Sequence, residues 1–255
     1  MSRGGLFDLA GRTALVTGAS QGLGLAITQA LAAHGAHVLV SDREAAAAEL
    51  AARALRAEGH AATAIAADLA QPAQIAALIA AAGDIDVLVC NAGIQGPAGP
   101  LAAAGDTDWQ QVLEINLRAA ARLCAGLLPG MANRGGGSIV LMSSIAGLRG
   151  NRALGLYGLS KAALAQLARN LAVEWGPLGV RVNAVSPGLI RTPLAEGLLQ
   201  DAAFMARRLQ ATPLRRVGEP QEVAGVVVML ASAAGAFVTG HNLVVDGGTT
   251  ISDGG

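Results

Sequence analysis

The segment from Thr13 to Ala33 constrains the fold more than any other stretch of the chain. A short apolar run, TALVT, ends in a turn whose glycines are spaced G-x-x-x-G-x-G at Gly18, Gly22 and Gly24, and the helix-forming residues Leu23 to Ala33 follow at once. A strand that feeds directly into a helix has to bury that helix against a sheet, and the next strand then lies parallel to the first. The same alternation recurs down the chain. Strands are predicted at 36–41, 61–66, 86–90, 138–142, 180–185 and 241–245. Between them helices are predicted at 44–58, 71–82, 108–132, 154–175 and from Pro220 to about Ser232. The strands read as continuous apolar runs rather than alternations, the pattern of a sheet covered on both faces. The expected fold class is therefore α/β: a single doubly wound, seven-stranded parallel sheet with helices on both faces. A mixed segment from Thr192 to Arg208 reads as a small inserted flap. No linker interrupts the pattern, so residues 1–255 are expected to form one domain.

Composition removes several classes of function. Alanine carries much of the 53% hydrophobic content, and no run approaches the 18 or more uncharged apolar residues of a membrane span. The first twelve residues lack the apolar centre of a signal peptide, so a cytoplasmic protein is expected. A formal net charge of zero with 2% aromatic residues offers neither a basic stripe nor a stacking platform for nucleic acid. Cys90 and Cys124 lie in apolar segments without metal-ligand spacing and are expected to be buried free thiols. The histidines at 34, 37, 60 and 241 are scattered, and no metal site is expected.

The glycine-rich turn, Thr17 to Gly24, suits a pyrophosphate. Glycines permit a tight turn and let phosphate oxygens approach backbone N–H groups at a helix N-terminus. An acid, Asp42, stands at the end of the second strand, 24 residues beyond Gly18. A carboxylate there accepts hydrogen bonds from ribose hydroxyls and repels a 2′-phosphate. The same residue also suits capping of the next helix. Arg43 beside it suits a phosphate instead, whereas the turn itself offers Gln21 and no basic residue. NAD is favoured over NADP.

Further along, Tyr157 and Lys161 stand four apart in a predicted helix, which places them on one face. A tyrosine hydroxyl ordinarily titrates near roughly 10, and a neighbouring ammonium is expected to lower that value. Ser144 ends the strand run SIVLMSS and brings a hydroxyl to the same place.

With these motifs in order, the sequence resembles the classical short-chain dehydrogenase/reductase family from about Leu9 to Gly248. The family's TGxxxGxG matches Thr17 to Gly24. Its NNAG matches Cys90-Asn91-Ala92-Gly93, with cysteine at the first position, and its YxxxK matches Tyr157 to Lys161, with Ser144 thirteen residues upstream. Asn116 in EINL, Pro187-Gly188 and the ending VTGHNLVVDGG match as well. The resemblance implies that Tyr157 is the general acid or base, that Lys161 lowers its pKa and holds the nicotinamide ribose, and that Ser144 orients the substrate oxygen. It implies that Asn116 holds a water in a proton relay. A cofactor site follows from it too: Gly18, Ser20, Gln21, Gly22, Leu23 and Gly24 at the turn, Asp42 and Arg43 beyond the second strand, and Asp68 and Leu69 near the adenine. Asn91, Ala92 and Gly93 would form its floor, and Pro187, Gly188, Ile190 and Thr192 would lie by the carboxamide.

The substrate pocket is expected to be lined by Gln95, Ile145, Leu154, Leu189, Leu194, Leu198, Phe204 and Met205, together with Ser144 and Tyr157. This mostly aliphatic set suits a small or medium alcohol or ketone. Arg149, Asn151 and Arg152 stand in the same loop, as groups for a carboxylate or hydroxyls or as solvated charges. Three readings compete with an NAD-dependent alcohol dehydrogenase or ketoreductase: an NADPH-dependent 3-oxoacyl thioester reductase, a dinucleotide-sensing scaffold without turnover, and an α/β hydrolase. The intact catalytic set speaks against the scaffold. The nucleophile turn of such a hydrolase is G-x-S-x-G; the one serine in that frame, Ser20 between Gly18 and Gly22, belongs to the glycine-rich turn, and the hydrolase is set aside. By the resemblance, the chain is expected to assemble as a homodimer or homotetramer through the helices at 108–132 and 154–175.

Overall fold

A computed structural model describes residues 5–252. The four N-terminal and three C-terminal residues, which fall within the proposed single domain, lie outside the described residues. Seven parallel strands form one sheet in the order β3-β2-β1-β4-β5-β6-β7. They are β1 (Thr13–Thr17), β2 (His37–Asp42), β3 (Ala62–Ala66), β4 (Val87–Cys90), β5 (Gly137–Met142), β6 (Val180–Pro187) and β7 (Asn242–Val245). The helices are α1 (Gly22–Ala33), α2 (Ala45–Ala57), α3 (Pro72–Ala82), α4 (Asp106–Leu113), α5 (Ala119–Asn133), α6 (Gly155–Trp175), α7 (Glu196–Gln200), α8 (Ala202–Gln210) and α9 (Pro220–Ala231).

Successive side chains of a strand point to opposite faces, and the buried residues divide accordingly. Val16, Val38, Val40, Val89 and Val140 pack with α1, α2 and α9 in one layer. Leu15, Leu39, Leu88, Ile139 and Leu141 pack with α3, α5 and α6 in the other. Two dry faces require apolar residues at every strand position, and that is why the strands read as runs. Cys90 and Cys124 are free and buried in the second layer. Among the described residues no helix is long and apolar enough to cross a membrane, and no cluster of acidic, histidine or cysteine side chains is arranged to hold a metal ion.

Most predicted elements recur with ends displaced by one or two residues, and one prediction needs a larger correction. The single helix at 108–132 is two α-helices joined by a wide π-type turn over Glu114–Arg118. The sequence there remains helix-forming throughout, and the reason for the widening is tertiary. It places the Asn116 side chain, 1% exposed, between the β4 loop and α6. The flap segment folds as a 3₁₀ turn at Pro193–Ala195 followed by α7 and α8. The strand order reverses between β1 and β4, whose C-terminal ends open the crevice in which ligands of such sheets bind.

Candidate active site

A cleft of about 640 Å³ runs along the C-terminal ends of the strands. Its walls include Gly18, Gln21, Gly22, Leu23, Gly24, Asp42, Arg43, Asp68, Leu69, Asn91, Ala92, Gly93, Pro187, Gly188, Ile190 and Thr192. All predicted cofactor residues therefore line it except Ser20. Its hydroxyl donates to Asp42 Oδ2 at 2.6 Å, and the Ser20 N–H lies 3.3 Å from the same oxygen. Ser20 thus orients the acid.

The turn after β1 is held from beneath. Asn91 Nδ2 donates to the carbonyls of Thr17 and Gly18, both at 3.0 Å. Gly18 is in the left-handed region at φ +60°, and a Cβ on Gly24 would fall 2.0 Å from the Gly18 carbonyl oxygen. Only glycine admits that approach. The first turn of α1 has no side-chain cap, so its amides face the cleft as donors for an anion.

Asp42 Oδ1 lies 3.5 Å from the Glu44 N–H, and the residue capping α2 is Glu44, so the helix-capping reading of Asp42 does not hold. Arg43, itself in the cleft wall, forms an exposed ion pair with Glu44 at 3.3 Å. Asp68, one strand further out, accepts from the Ala70 N–H at 2.9 Å. Donors at the turn and acids at the ends of β2 and β3 fit a dinucleotide. The flap closes over this end, since a Cβ on Gly22 would lie 3.3 Å from Pro193.

At the other end Ser144, Tyr157 and Lys161 line the cleft together. Ser144 opens a 3₁₀ turn, Ile145–Gly147, its Oγ accepting from the Ala146 N–H at 3.1 Å. Glycines let α6 press against that turn, for a Cβ on Gly158 would lie 2.6 Å from the Ala146 carbonyl oxygen. Lys161 is 4% exposed. Its Nζ donates to the Met142 carbonyl at 2.7 Å and stands 5.5 Å from the Tyr157 ring centroid. Ser143 Oγ, donating to the Lys161 carbonyl at 2.7 Å, fixes the same turn of α6.

The electrostatics reverse one expectation. Burial raises the Tyr157 pKa above its ordinary 10, against the opposing pull of a hydrogen bond with Ser144. Desolvation penalises the phenolate more than its neighbours favour it. Lys161 does not lower it here, being drawn to Met142 and itself brought by burial from 10.5 to about 8.

Asn116 is no part of the cleft wall. Its Oδ1 accepts from the Ile94 N–H at 2.8 Å, and its Nδ2 donates to the Ile94 carbonyl at 2.8 Å and to Ser160 Oγ at 3.0 Å. Both amide hydrogens are committed, so any water it holds must donate to Oδ1. Gly93 lies between the two polar groups: a Cβ there would be 3.1 Å from Asn116 Oδ1 and 3.3 Å from Lys161 Nζ.

Of the predicted substrate residues, Gln95, Leu154, Leu189, Leu194 and Leu198 line the cleft. Ile145, 6% exposed, is buried beneath it, and neither Phe204 nor Met205 reaches the wall. The α8 helix instead uses Phe204 as a platform for Arg208, whose guanidinium carbon lies 5.3 Å over the ring. Sequence reasoning missed Met142, Ile94, Ile115 and Ser143 in the lining. Their position just beyond the ends of β4 and β5 was the available signal for two of them. Met142 acts through its backbone carbonyl, which no residue type announces.

The family model described as Enoyl-(Acyl carrier protein) reductase matches residues 18–250. Dehydrogenase/reductase SDR family member 4 of Oryctolagus cuniculus is 38% identical over 244 residues, covering 94% of this chain and 94% of the relative. Cis-4-hydroxycyclohexanecarboxylate dehydrogenase of Sinomonas cyclohexanicum is 44% identical over 244 residues, 94% of this chain and 96% of the relative. Among solved structures, a gluconate 5-dehydrogenase from Burkholderia cenocepacia J2315 in complex with NADP and tartrate superposes with a TM-score of 0.93 at 36% identity, covering 97% of this chain and 98% of that one.

Proposed function

Because this chain belongs to the short-chain dehydrogenase/reductase family of oxidoreductases, we propose that it moves a hydride between NAD and a secondary alcohol or ketone. The carrying observation is one cleft with the hydroxyls of Ser144 and Tyr157 and the Lys161 ammonium at one end and the Asp42 carboxylate at the other. A nicotinamide dinucleotide bound there supplies the hydride chemistry. Gly18 to Gly24 would hold its pyrophosphate, Asp42 its adenosine ribose, and Ile190 and Thr192 its carboxamide.

Tyr157 hands its proton to the substrate oxygen during reduction and takes one from the hydroxyl during oxidation. A hydroxyl kept protonated by burial is primed for the first role. Ser144 donates to the same oxygen as negative charge grows on it. Lys161 returns the proton to Tyr157 and holds the second ribose, and Asn116 keeps the β4 loop and α6 in register. The preference for NAD rests on Asp42, whose charge would face a 2′-phosphate. The solved NADP complex of the 36% identical neighbour makes this preference the first point to measure.

The test is reduction of NAD⁺ and NADP⁺ followed at 340 nm across secondary alcohols. Hydroxy acids head the panel, because two of the similar proteins are named for carboxylate-bearing alcohols. Tyr157→Phe is expected to lose about 10²- to 10⁴-fold in kcat while retaining cofactor affinity. No turnover by folded, NAD-binding protein would leave the scaffold reading. Preference for NADPH together with turnover of 3-oxoacyl thioesters would make it a ketoacyl reductase. Pairing of α5 and α6 between copies into a dimer or tetramer belongs to the same proposal, with light scattering as its check.

A further inference from the structure

Ser160 lies three residues beyond Tyr157 on α6 and is 0% exposed. Its Oγ donates to the Tyr157 carbonyl at 2.7 Å and accepts from Asn116 Nδ2 at 3.0 Å. A hydroxyl has one hydrogen to give, and this one goes to the backbone of Tyr157. In an α-helix that same carbonyl also receives the N–H four residues on, here that of Lys161. One peptide group beside Tyr157 therefore gathers Lys161, Ser160 and, through Ser160, Asn116. Asn116 in turn holds both backbone groups of Ile94, which lines the cleft next to Gln95.

The loop after β4 meets α6 a second time, on the other side of Tyr157. The Gly99 N–H donates to the Ala153 carbonyl at 3.1 Å, and Gly99 pairs with Leu154 in a parallel bridge. A Cβ on Gly155 would lie 3.0 Å from the Leu101 Cβ. Residues 94–101 thus hold α6 just before Tyr157 and, by way of Asn116, just after it. The helix itself does not call for a serine here. Alanine is the better helix former, and a serine bonded back to its own helix slightly weakens it. Hydrogen bonds aligned from Asn116 through Ser160 to the Tyr157 carbonyl do reinforce one another.

We propose that Ser160 is a positioning residue, whose hydroxyl fixes the turn of α6 that carries Tyr157 against the loop following the proposed cofactor floor. This rests on the dehydrogenase reading and adds a residue to its machinery. With the hydroxyl in place, that loop and the Tyr157 phenol keep one spacing. Without it the second tether is lost, and Tyr157 shifts relative to Ser144 and the cofactor site. A displacement of about 1 Å at a reacting group costs up to about 10²-fold in rate.

Tyr157 is the one tyrosine of the chain, so tyrosine labelled with carbon-13 at the phenolic carbon gives a single resonance that reports its surroundings. Ser160→Ala is expected to move that resonance and to lower kcat about tenfold or more, with the dissociation constant for NADH within about twofold of the wild type. Ser160→Thr keeps a hydroxyl able to bond the same carbonyl and is expected to restore both. Ser138→Ala is the control. It deletes an equally buried hydroxyl, 2% exposed, from the Leu230 carbonyl at the opposite end of β5 from Met142. It is expected to leave the resonance and kcat intact. A resonance unmoved in Ser160→Ala, or moved as far in Ser138→Ala, overturns the proposal. If the wild type turns over no alcohol, the dehydrogenase reading falls, and the resonance still decides whether Ser160 positions Tyr157.

Discussion

Lys161 reaches from α6 to the main-chain carbonyl of Met142 at the end of β5, Nζ to oxygen 2.7 Å. A buried ammonium held by one neutral acceptor is stabilised far less than it would be in water. Burial brings its pKa from 10.5 to about 8, and the same burial raises that of Tyr157. The pair is held at the expense of stability, and several outcomes follow from that and from the packing around it.

Replacing Lys161 with Met is expected to stabilise the fold at pH 7 by about 2 kcal/mol while abolishing turnover. The sign follows from proton binding. Between pH 8 and 10.5 the unfolded chain holds a proton on this lysine that the folded chain does not, so the burden is full below pH 8 and fades as pH rises. Urea melts at pH 7 and pH 10 check it: the advantage of Lys161→Met must shrink at the higher pH.

Gly93→Ala places a methyl group 3.1 Å from Asn116 Oδ1 and 3.3 Å from Lys161 Nζ. Both groups must give by a few tenths of an ångström. Small displacements at a reacting centre cost more in rate than in stability. A fall in kcat/KM of about tenfold or more is expected, with a melting midpoint within a few degrees of the wild type. A large drop in midpoint with unchanged kcat/KM in the remaining folded protein would contradict this.

Asp42→Ala is expected to reduce the preference for NADH over NADPH about 10- to 100-fold, because it removes both an acceptor for ribose and a charge that repels phosphate. It also leaves Ser20 Oγ without its 2.6 Å partner. Fluorescence titration with the two reduced nucleotides measures the change independently of substrate.

Asn116→Ala strands the Ile94 N–H and carbonyl and weakens the hold on Ser160. A loss of about 2–4 kcal/mol is expected, against about 1 kcal/mol for Ser160→Ala. Because the two side chains share a hydrogen bond, the double variant should fall short of the sum by 0.5 kcal/mol or more, roughly the size seen for contacting residues. Strict additivity in denaturant titrations would show that the Asn116–Ser160 contact contributes nothing.

What the chain determined by itself is the architecture and most of the cleft. An apolar run of four to six residues has to be a strand buried on both faces. A helix has to follow it, and a glycine turn between them leaves amides free; these are local consequences of residue type and order. Tyr157 and Lys161 were legible for the same reason, since four residues of helix fix their mutual face whatever surrounds them.

Only the folded structure decided the rest. No local pattern marks the wide turn at Asn116, because its cause is the Ile94 loop and Ser160, residues far away in sequence. The hold on Lys161 is a carbonyl, identical in every residue. The direction of the Tyr157 shift depended on how much water is excluded around it. Burial, backbone acceptors and meetings between distant segments are properties of three-dimensional packing, and residue order encodes them only through the fold as a whole.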